Sequence, residues 1–500
     1  SDSGGGGPGA PTPGTIPLSD AGRFEIGNPT VTDVWVDPGS GSDSRTGASR
    51  SQALRTVTEA WNRIPRSTSL STGYRLQLVA GTYPAGVLPN YLEDRWGTYN
   101  APIIFNAADG PGTVRLTGDL NIYNTRFLYL LGVNIERAGD TFHCELCSYV
   151  LLRDGVFAGQ GAAHETIKVN QSDHFMIEDS DISGAGDNAV DFVAVQYGHL
   201  RGNRIHGADD WCAYAKGGSA YLIIAENEIY SCGTGGFTAG QGTGFEFMTS
   251  PWLHYEAYDI KVFNNVVHDT EGAGLGVNGG FNILLAYNTL YRVGSRSHAV
   301  EFVFGARGCD GNVSACAARN ALGGWGSTAP EGDGWIPNNH VYFYNNVIHN
   351  PMPFQSAWSQ FAIYGPRVPP AGTNVPSPAR TDVDLRIAGN LVWNGPGTSV
   401  DPGIGSGSGC QNPNPTCNLA QVVADNAINA AEPLLVDPSA GDYQPVAGGV
   451  IQLTPAVEIP DFAWADAPTT PSAPPGTASN VVPLNRAGQP RTGWGNPGAY

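Results

Sequence analysis

The segments EDSDI (178–182), RGNRI (201–205), AENEI (225–229), FNNVV (263–267) and AYNTL (286–290) decide the fold. Each closes a short apolar run with a polar residue, one spacer and then Ile, Val or Leu. Their centres are Ser180, Asn203, Asn227, Asn265 and Asn288, spaced by 23, 24, 38 and 23 residues. A repeat of this length marks a solenoid or a propeller. Each unit reads strand, turn, strand, turn, with no helical period inside it, and so points to a parallel β-helix. The 38 is one coil plus an insertion of roughly fourteen residues, placed within Phe245 to Tyr258, and insertions in solenoids go to loops on one face. The rhythm continues downstream at Asn346 (YNNVI) and Asn390 (AGNLV), and upstream without the Asn at GVNIE and RDGVF, around Val133 and Gly155. One coil cannot bury its own apolar face, whereas stacked coils share a continuous core. A column of Asn at one corner satisfies its neighbours' amides and tolerates a left-handed backbone, so these residues are assigned to turns.

Composition agrees. A solenoid can reach five hundred residues because each coil touches only its neighbours. Gly is abundant at 67 residues and charged residues are few at 14%, as a turn-rich all-β chain requires. No apolar run reaches the roughly 18 residues of a membrane span. The net charge of −19 argues against a nucleic-acid partner. An acidic polysaccharide would need a bound cation or a local basic groove to offset that field. The eight Cys fall into close pairs, 144 with 147, 309 with 316 and 410 with 417, and a fourth pair, Cys212 and Cys232, lies about one coil apart. No zinc spacing occurs, so disulfides and an oxidising compartment are expected.

Taken in order, residues 1–25, which open with SDSGGGGPGAPTPG, are a flexible Gly/Pro tether. They are similar to the spacer of lipid-anchored bacterial surface proteins. From Thr32 come a strand, a Gly/Ser loop, a helix near Ser51 to Arg63, and the strand YRLQLVAGTYPAG. A "GSD…G" loop, a short helix and a strand running into "AGTY" resemble the opening of right-handed parallel β-helix proteins of the pectate-lyase-like superfamily. The close, NRAGQPRTGWGNPGAY, resembles the ending of many secreted members. The resemblance implies an all-β, right-handed parallel β-helix from 26 to 500 with an N-terminal capping helix. Coils are expected at about 103–304 and 340–395, inserted loops at about 305–339 and 396–432, and a segment at 433–500 packed along the outside. A secreted or surface-exposed monomer acting on a polysaccharide is expected.

Indexing each coil from its ladder residue places Asp187 and Asp210 seven positions on, at one corner of adjacent coils, with Asp209 and Asp191 nearby. Stacked carboxylates repel unless a cation or a shared proton intervenes, and Ca²⁺ favours such oxygens. Solvated turn residues give the same pattern. Thirteen positions on lie Lys168 and Lys216. Strand alternation sets Lys216 diagonally next to Asp191, either as a salt bridge or as a lysine general base. The arrangement is similar to the calcium-dependent polysaccharide lyases. That resemblance implies calcium on Asp187, Asp191, Asp209 and Asp210, and Lys216 as the base that removes the C5 proton of a uronate before β-elimination. DNAVD at 187–191 matches the family's tighter aspartate run only in part. A second resemblance, to polygalacturonase-type glycoside hydrolases, rests on Asp209–Asp210, Cys212 and Cys232, with Phe237 where those enzymes carry His. There Asp187 and Asp210 would be the two carboxylates that inverting hydrolysis needs; Asp191 is expected to be catalytic with Lys216 and Asp210. Trp211, Trp252, His254, Tyr255, Arg292, Arg296 and His298 flank the cluster and are expected, with Lys168, to bind sugar; loop packing and turn solvation account for them equally. Three readings result: a calcium-assisted lyase on an acidic glycan, a hydrolase or C5 epimerase on the same scaffold, and a non-catalytic adhesin.

Overall fold

A computed structural model describes residues 16–329, 335–395, 402–468 and 476–500. The chain divides into two compact units. Residues up to Asp191 with Val195–Ala208 form one, and Phe192–Ala194 with the residues from Asp209 onward form the other. The sequence alone reads 26–500 as one domain.

In the first unit three parallel sheets wrap one core. The strands Gly73–Leu78, Ile103–Ala107, Arg126–Leu131 and Ser148–Arg153 stack so that Leu76, Phe105, Leu130, Leu152 and Ile177 follow one another in register. Tyr83, Leu116, Ile135 and Phe157 form a second file, and Leu92, Ile122, Cys144 and Val169 a third. All of these side chains are buried, because a strand covered by neighbours on its inner face must be apolar there. The strand Val156–Glu178 runs 23 residues without a break and contributes to all three files.

The second unit repeats the plan. Leu222, Ile260, Ile283, Val341 and Leu385 make one inner file. Ile229, Val267, Leu290, Ile348 and Val392 make another, and Ala213, Phe237, Leu275, Val300 and Phe361 the third.

The asparagine ladder is present. Asn265 Oδ1 accepts from the Asn227 amide at 3.0 Å, Asn288 from Asn265 at 3.1 Å, Asn346 from Asn288 at 2.9 Å and Asn390 from Asn346 at 2.8 Å. It extends one rung past the sequence reading, to Asn426. In the first unit Asn203 Oδ1 accepts from the Ser180 amide, and Ser180 Oγ from that of Gly155. One detail corrects the sequence reading. The left-handed residue is the one before each rung: Asp179, Glu226, Asn264, Tyr287 and Asn345 have φ of 49° to 57°. The rung itself uses its amide to close hydrogen bonds across coils.

The expected tether is packed from Ile16 onward; residues 1–15 lie outside the described residues. Phe24 is buried, its amide donates to Glu178 Oε2 at 2.7 Å, and Arg23 pairs with Asp179. The capping helix is shorter than expected, Val57–Asn62, with Thr56 accepting from the Glu59 amide. It buries Val57, Ala60 and Trp61 and sets Trp61 edge-on to Phe105. The four disulfides pair as expected: 144–147, 212–232, 309–316 and 410–417. The first inserted loop holds a helix, Val313–Ala321, capped by Asn312; the second, outside residues 396–401, holds Leu419–Asp425. From the C-terminal segment, Ile459, Phe462 and Val482 pack on Leu284, Tyr287 and Tyr342, while Tyr443, Ile451 and Ala499 pack on Val266, Val347 and Leu391. No helix among the described residues is long and apolar enough to cross a membrane.

Candidate functional site

Strand alternation decides what each unit shows outside. In Phe142–Glu145, Phe142 and Cys144 point into the core, so His143 and Glu145 point out. Register then lines up Asn121, His143 and Lys168 on three consecutive strands. Lys168 Nζ reaches Asp191 Oδ2 at 2.6 Å, which adds Asp191 to the file. The Asp191 carboxylate is fully buried and the Lys168 side chain is 23% exposed, so one end of the pair meets solvent. Glu165 Oε1 lies 3.7 Å from the same ammonium.

Electrostatics follow from this crowding. Burial raises the Glu165 pKa, the nearby Asp191 pushes the same way, and Lys168 opposes both. Glu165 Oε2 lies 2.5 Å from His164 Nδ1 and holds that exposed imidazole protonated above its ordinary range. His164 Nε2 stands 3.5 Å from Asp187 Oδ2. Burial lowers the His143 pKa, and the neighbouring Lys168 lowers it further. His143 Nε2 accepts from Asn170 Nδ2 at 3.2 Å, which fits a neutral ring.

The expected cluster falls on both units. Lys168, Asp187 and Asp191 belong to the first, and Asp209, Asp210, Trp211 and Lys216 to the second. Within the first unit, Asp191 faces an ammonium, and Asp187 groups with His164 and Glu165. An imidazole nitrogen with two carboxylates is a borderline-ion donor set, whereas calcium prefers oxygen alone. These first-unit donors therefore do not fit calcium.

In the second unit Lys216 Nζ donates to Gln241 Oε1 at 3.1 Å and sits 4.6 Å from the centre of the Tyr214 ring. Asp209 is exposed and Asp210 half-buried at the turn before the strand Trp211–Lys216. Trp211 is only 2% exposed, laid over Gly235 and Gly276, where an added Cβ would come within 2.2 Å and 2.8 Å of its ring. His254 and Tyr255 are also buried. His254 Nε2 bonds the Gly323 carbonyl, and Tyr255 packs edge-on or tilted against Tyr258, Phe281 and Trp325, so both hold the insertion in place. Trp252 is half-buried and edge-on to Tyr221. Arg292 is paired with Asp269 and Arg296 with Glu271. His298 lines a cavity of about 300 Å³, where its Nδ1 meets Ser359.

Sequence reasoning missed His143, His164, Glu165 and Glu301. His143 was legible only as the position one coil before Lys168. Glu301 lies in an outward file with Tyr214, Thr238, Gly276 and Ala362. It is partly exposed, and burial by its surroundings raises its carboxyl pKa to about 7, with a hydrogen bond to Asn278 opposing. Asn278 Oδ1 in turn accepts from Thr238 Oγ1 at 2.6 Å.

Residues 143–312 match the family model described as right handed beta helix region. No curated protein matches the chain. Among solved structures it is similar to a rhamnogalacturonan lyase, at 12% identity and a TM-score of 0.42 over 72% of this chain and 87% of that one. It is similar to a mannuronan C-5 epimerase A-module of Azotobacter vinelandii at 12% and 0.40, over 64% and 86%. A pectate lyase matches at 14% and 0.38, over 65% and 77%. The family match and the three files of parallel strand pairing in each unit together identify the chain as a right-handed parallel β-helix protein.

Proposed function

We propose that this is a secreted or surface carbohydrate-active protein, a polysaccharide lyase that cleaves a uronate-containing glycan by β-elimination at the outward file of the first unit. The observation that carries the reading is Lys168: an ammonium reachable from solvent, fixed by buried Asp191, one strand from an imidazole kept neutral. A uronate carboxylate paired with Lys168 loses much of its negative charge, which acidifies the proton on C5. His143 is the base for that proton. The C5–H electrons form the C4–C5 double bond, the C4–O bond breaks, and the leaving oxygen takes a proton from the His164–Glu165 pair. Lys216, in the second unit, is the alternative base, and no step of this scheme passes through a metal.

The test is a panel of polyuronates and neutral glycans, with calcium and with chelator, comparing wild type with Lys168→Ala, His143→Gln and Lys216→Ala. Expected is ultraviolet-absorbing unsaturated product from a polyuronate, reduced roughly a hundredfold in His143→Gln and Lys168→Ala. Unchanged turnover in Lys216→Ala removes it as base, and loss of activity in chelator returns calcium to the mechanism. A wild type that forms no unsaturated product sinks the lyase reading. One observation favours a second reading: Glu301, with its pKa near 7, suits a general acid for hydrolysis. New reducing ends without unsaturation, lost in Glu301→Gln, would select it. Binding without turnover selects a non-catalytic glycan-binding protein.

A further inference from the structure

The outward file of the first unit has one more member. Leu92 and Glu93 pair in register with Ile122 and Tyr123. The residue before them, Tyr91, therefore heads the line that continues through Asn121, His143 and Lys168. Tyr91 is 67% exposed, so one face of its ring is open to solvent. With Leu88, Pro89, Asn90, Asp119 and Asn121 it lines a cavity of about 290 Å³.

The lining has a definite chemistry. Leu88 and Pro89 are buried and give the cavity apolar contact. The turn at Gly118 approaches so closely that an added Cβ would lie 2.8 Å from Ala85 Cα, which fixes the strand carrying Asp119 and Asn121 against this wall. Asn121 Nδ2 donates to Asp119 Oδ2 at 3.0 Å, orienting both side chains. A carboxylate has about four lone-pair positions, so Asp119 keeps acceptor capacity for hydroxyl groups. An aromatic face, apolar contact and fixed amide and carboxylate groups are what a sugar ring needs for stacking and hydroxyl recognition. The same carboxylate repels another carboxylate. Asn121 lies two strands from Lys168, about 10 Å at about 4.8 Å per strand, and Lys168 attracts what Asp119 repels.

We propose that the cavity beside Tyr91 is a binding subsite for an uncharged sugar residue, so that the glycan taken by this chain is a heteropolymer with an uncharged residue at Tyr91 and a uronate at Lys168. The inference rests on the reading of Lys168 as the uronate contact, and it adds the second sugar and its charge.

The experiment is calorimetric titration of the whole protein with three short oligosaccharides of equal length: all uronate, all neutral, and mixed. Wild type is expected to bind the mixed probe most tightly. Tyr91→Ala is expected to weaken the mixed probe roughly three- to tenfold, the range of one aromatic contact. Asp119→Asn is expected to raise affinity for the all-uronate probe and so narrow the preference. Lys168→Ala is expected to abolish the advantage of both uronate probes over the neutral one. If Tyr91→Ala and Asp119→Asn leave every affinity unchanged while Lys168→Ala loses the uronate advantage, the subsite is wrong and the reading of Lys168 stands. A wild type that binds none of the probes takes both down together. An equal wild-type preference for mixed and all-uronate probes overturns the subsite alone.

Discussion

His143 stands outside the core on the strand Phe142–Glu145, yet its surroundings disfavour the charged ring. Burial and the Lys168 ammonium both lower its pKa from the ordinary 6.5. The folded protein thus binds a proton at this ring less readily than the unfolded chain does. Its contribution to stability is intact above the unfolded pKa and is lost as pH falls from about 6.5 toward the depressed folded value. His143→Gln is therefore expected to flatten part of the decline in melting temperature between about pH 6.5 and pH 5, measured by thermal unfolding across that range. An unchanged slope means that the ring is solvated and carries no such penalty. The sequence discloses the charged half of this site more readily than the neutral half. Lys168 and Asp191 are conspicuous in a chain that is only 14% charged, and counting positions along a coil sets them on one face. His143 has no motif around it. Glu301 is harder still, since its environment is made by Gly276 and Ala362, residues that carry no signal of their own.

The coil is the element that sequence shows best, because every corner ends in the same chemistry. Asn288 illustrates what that corner does. Its Oδ1 accepts from the amide and side chain of Asn265, and its Nδ2 donates to the Val262 and Ala286 carbonyls and to Asn346. Asn288→Ala leaves several buried polar groups without partners and is expected to cost about 2–4 kcal/mol of stability, read by urea unfolding. A loss below about 1 kcal/mol would mean that water enters the ladder. Insertions have no repeat and are correspondingly opaque. The first one is organised by Arg307 and Glu256, an ion pair at 2.6 Å with both side chains fully buried. Arg307 also donates to the carbonyls of His254 and Trp325, and Glu256 Oε1 accepts from Thr243 Oγ1. Removing one partner of such a pair strands the other charge in the interior. Arg307→Met is expected to cost about 3–5 kcal/mol and to open the 245–256 and 306–325 segments to limited proteolysis. Retained resistance in that variant means that the aromatic packing of Tyr255 and Trp325 is enough to hold them. The aromatic insertion SPWLHYEAY resembles a sugar platform because apolar residues in a loop carry the same letters whether they face a ligand or a partner loop. Burial of His254 and Tyr255 is a property of the second segment, far away in sequence, and no local pattern encodes it.

At the scale of the whole molecule, 26 basic and 45 acidic residues leave a formal charge of −19. A polyanionic glycan approaching such a chain is repelled at long range and attracted only near its cations, among them the partly exposed Lys168 beside His143. The two effects respond differently to salt. The Debye length shrinks from about 30 Å at 0.01 M to about 10 Å at 0.1 M. Raising salt over that interval removes the long-range repulsion while a partly buried contact such as Lys168–uronate is screened much less. Association of a polyuronate with this protein is therefore expected to speed up, or its KM to fall, severalfold between those two ionic strengths. A neutral glycan of the same length should show no such change. The opposite trend, weaker binding with added salt, would place the glycan on a surface dominated by exposed cations and would move the site away from the file that runs through His143 and Lys168.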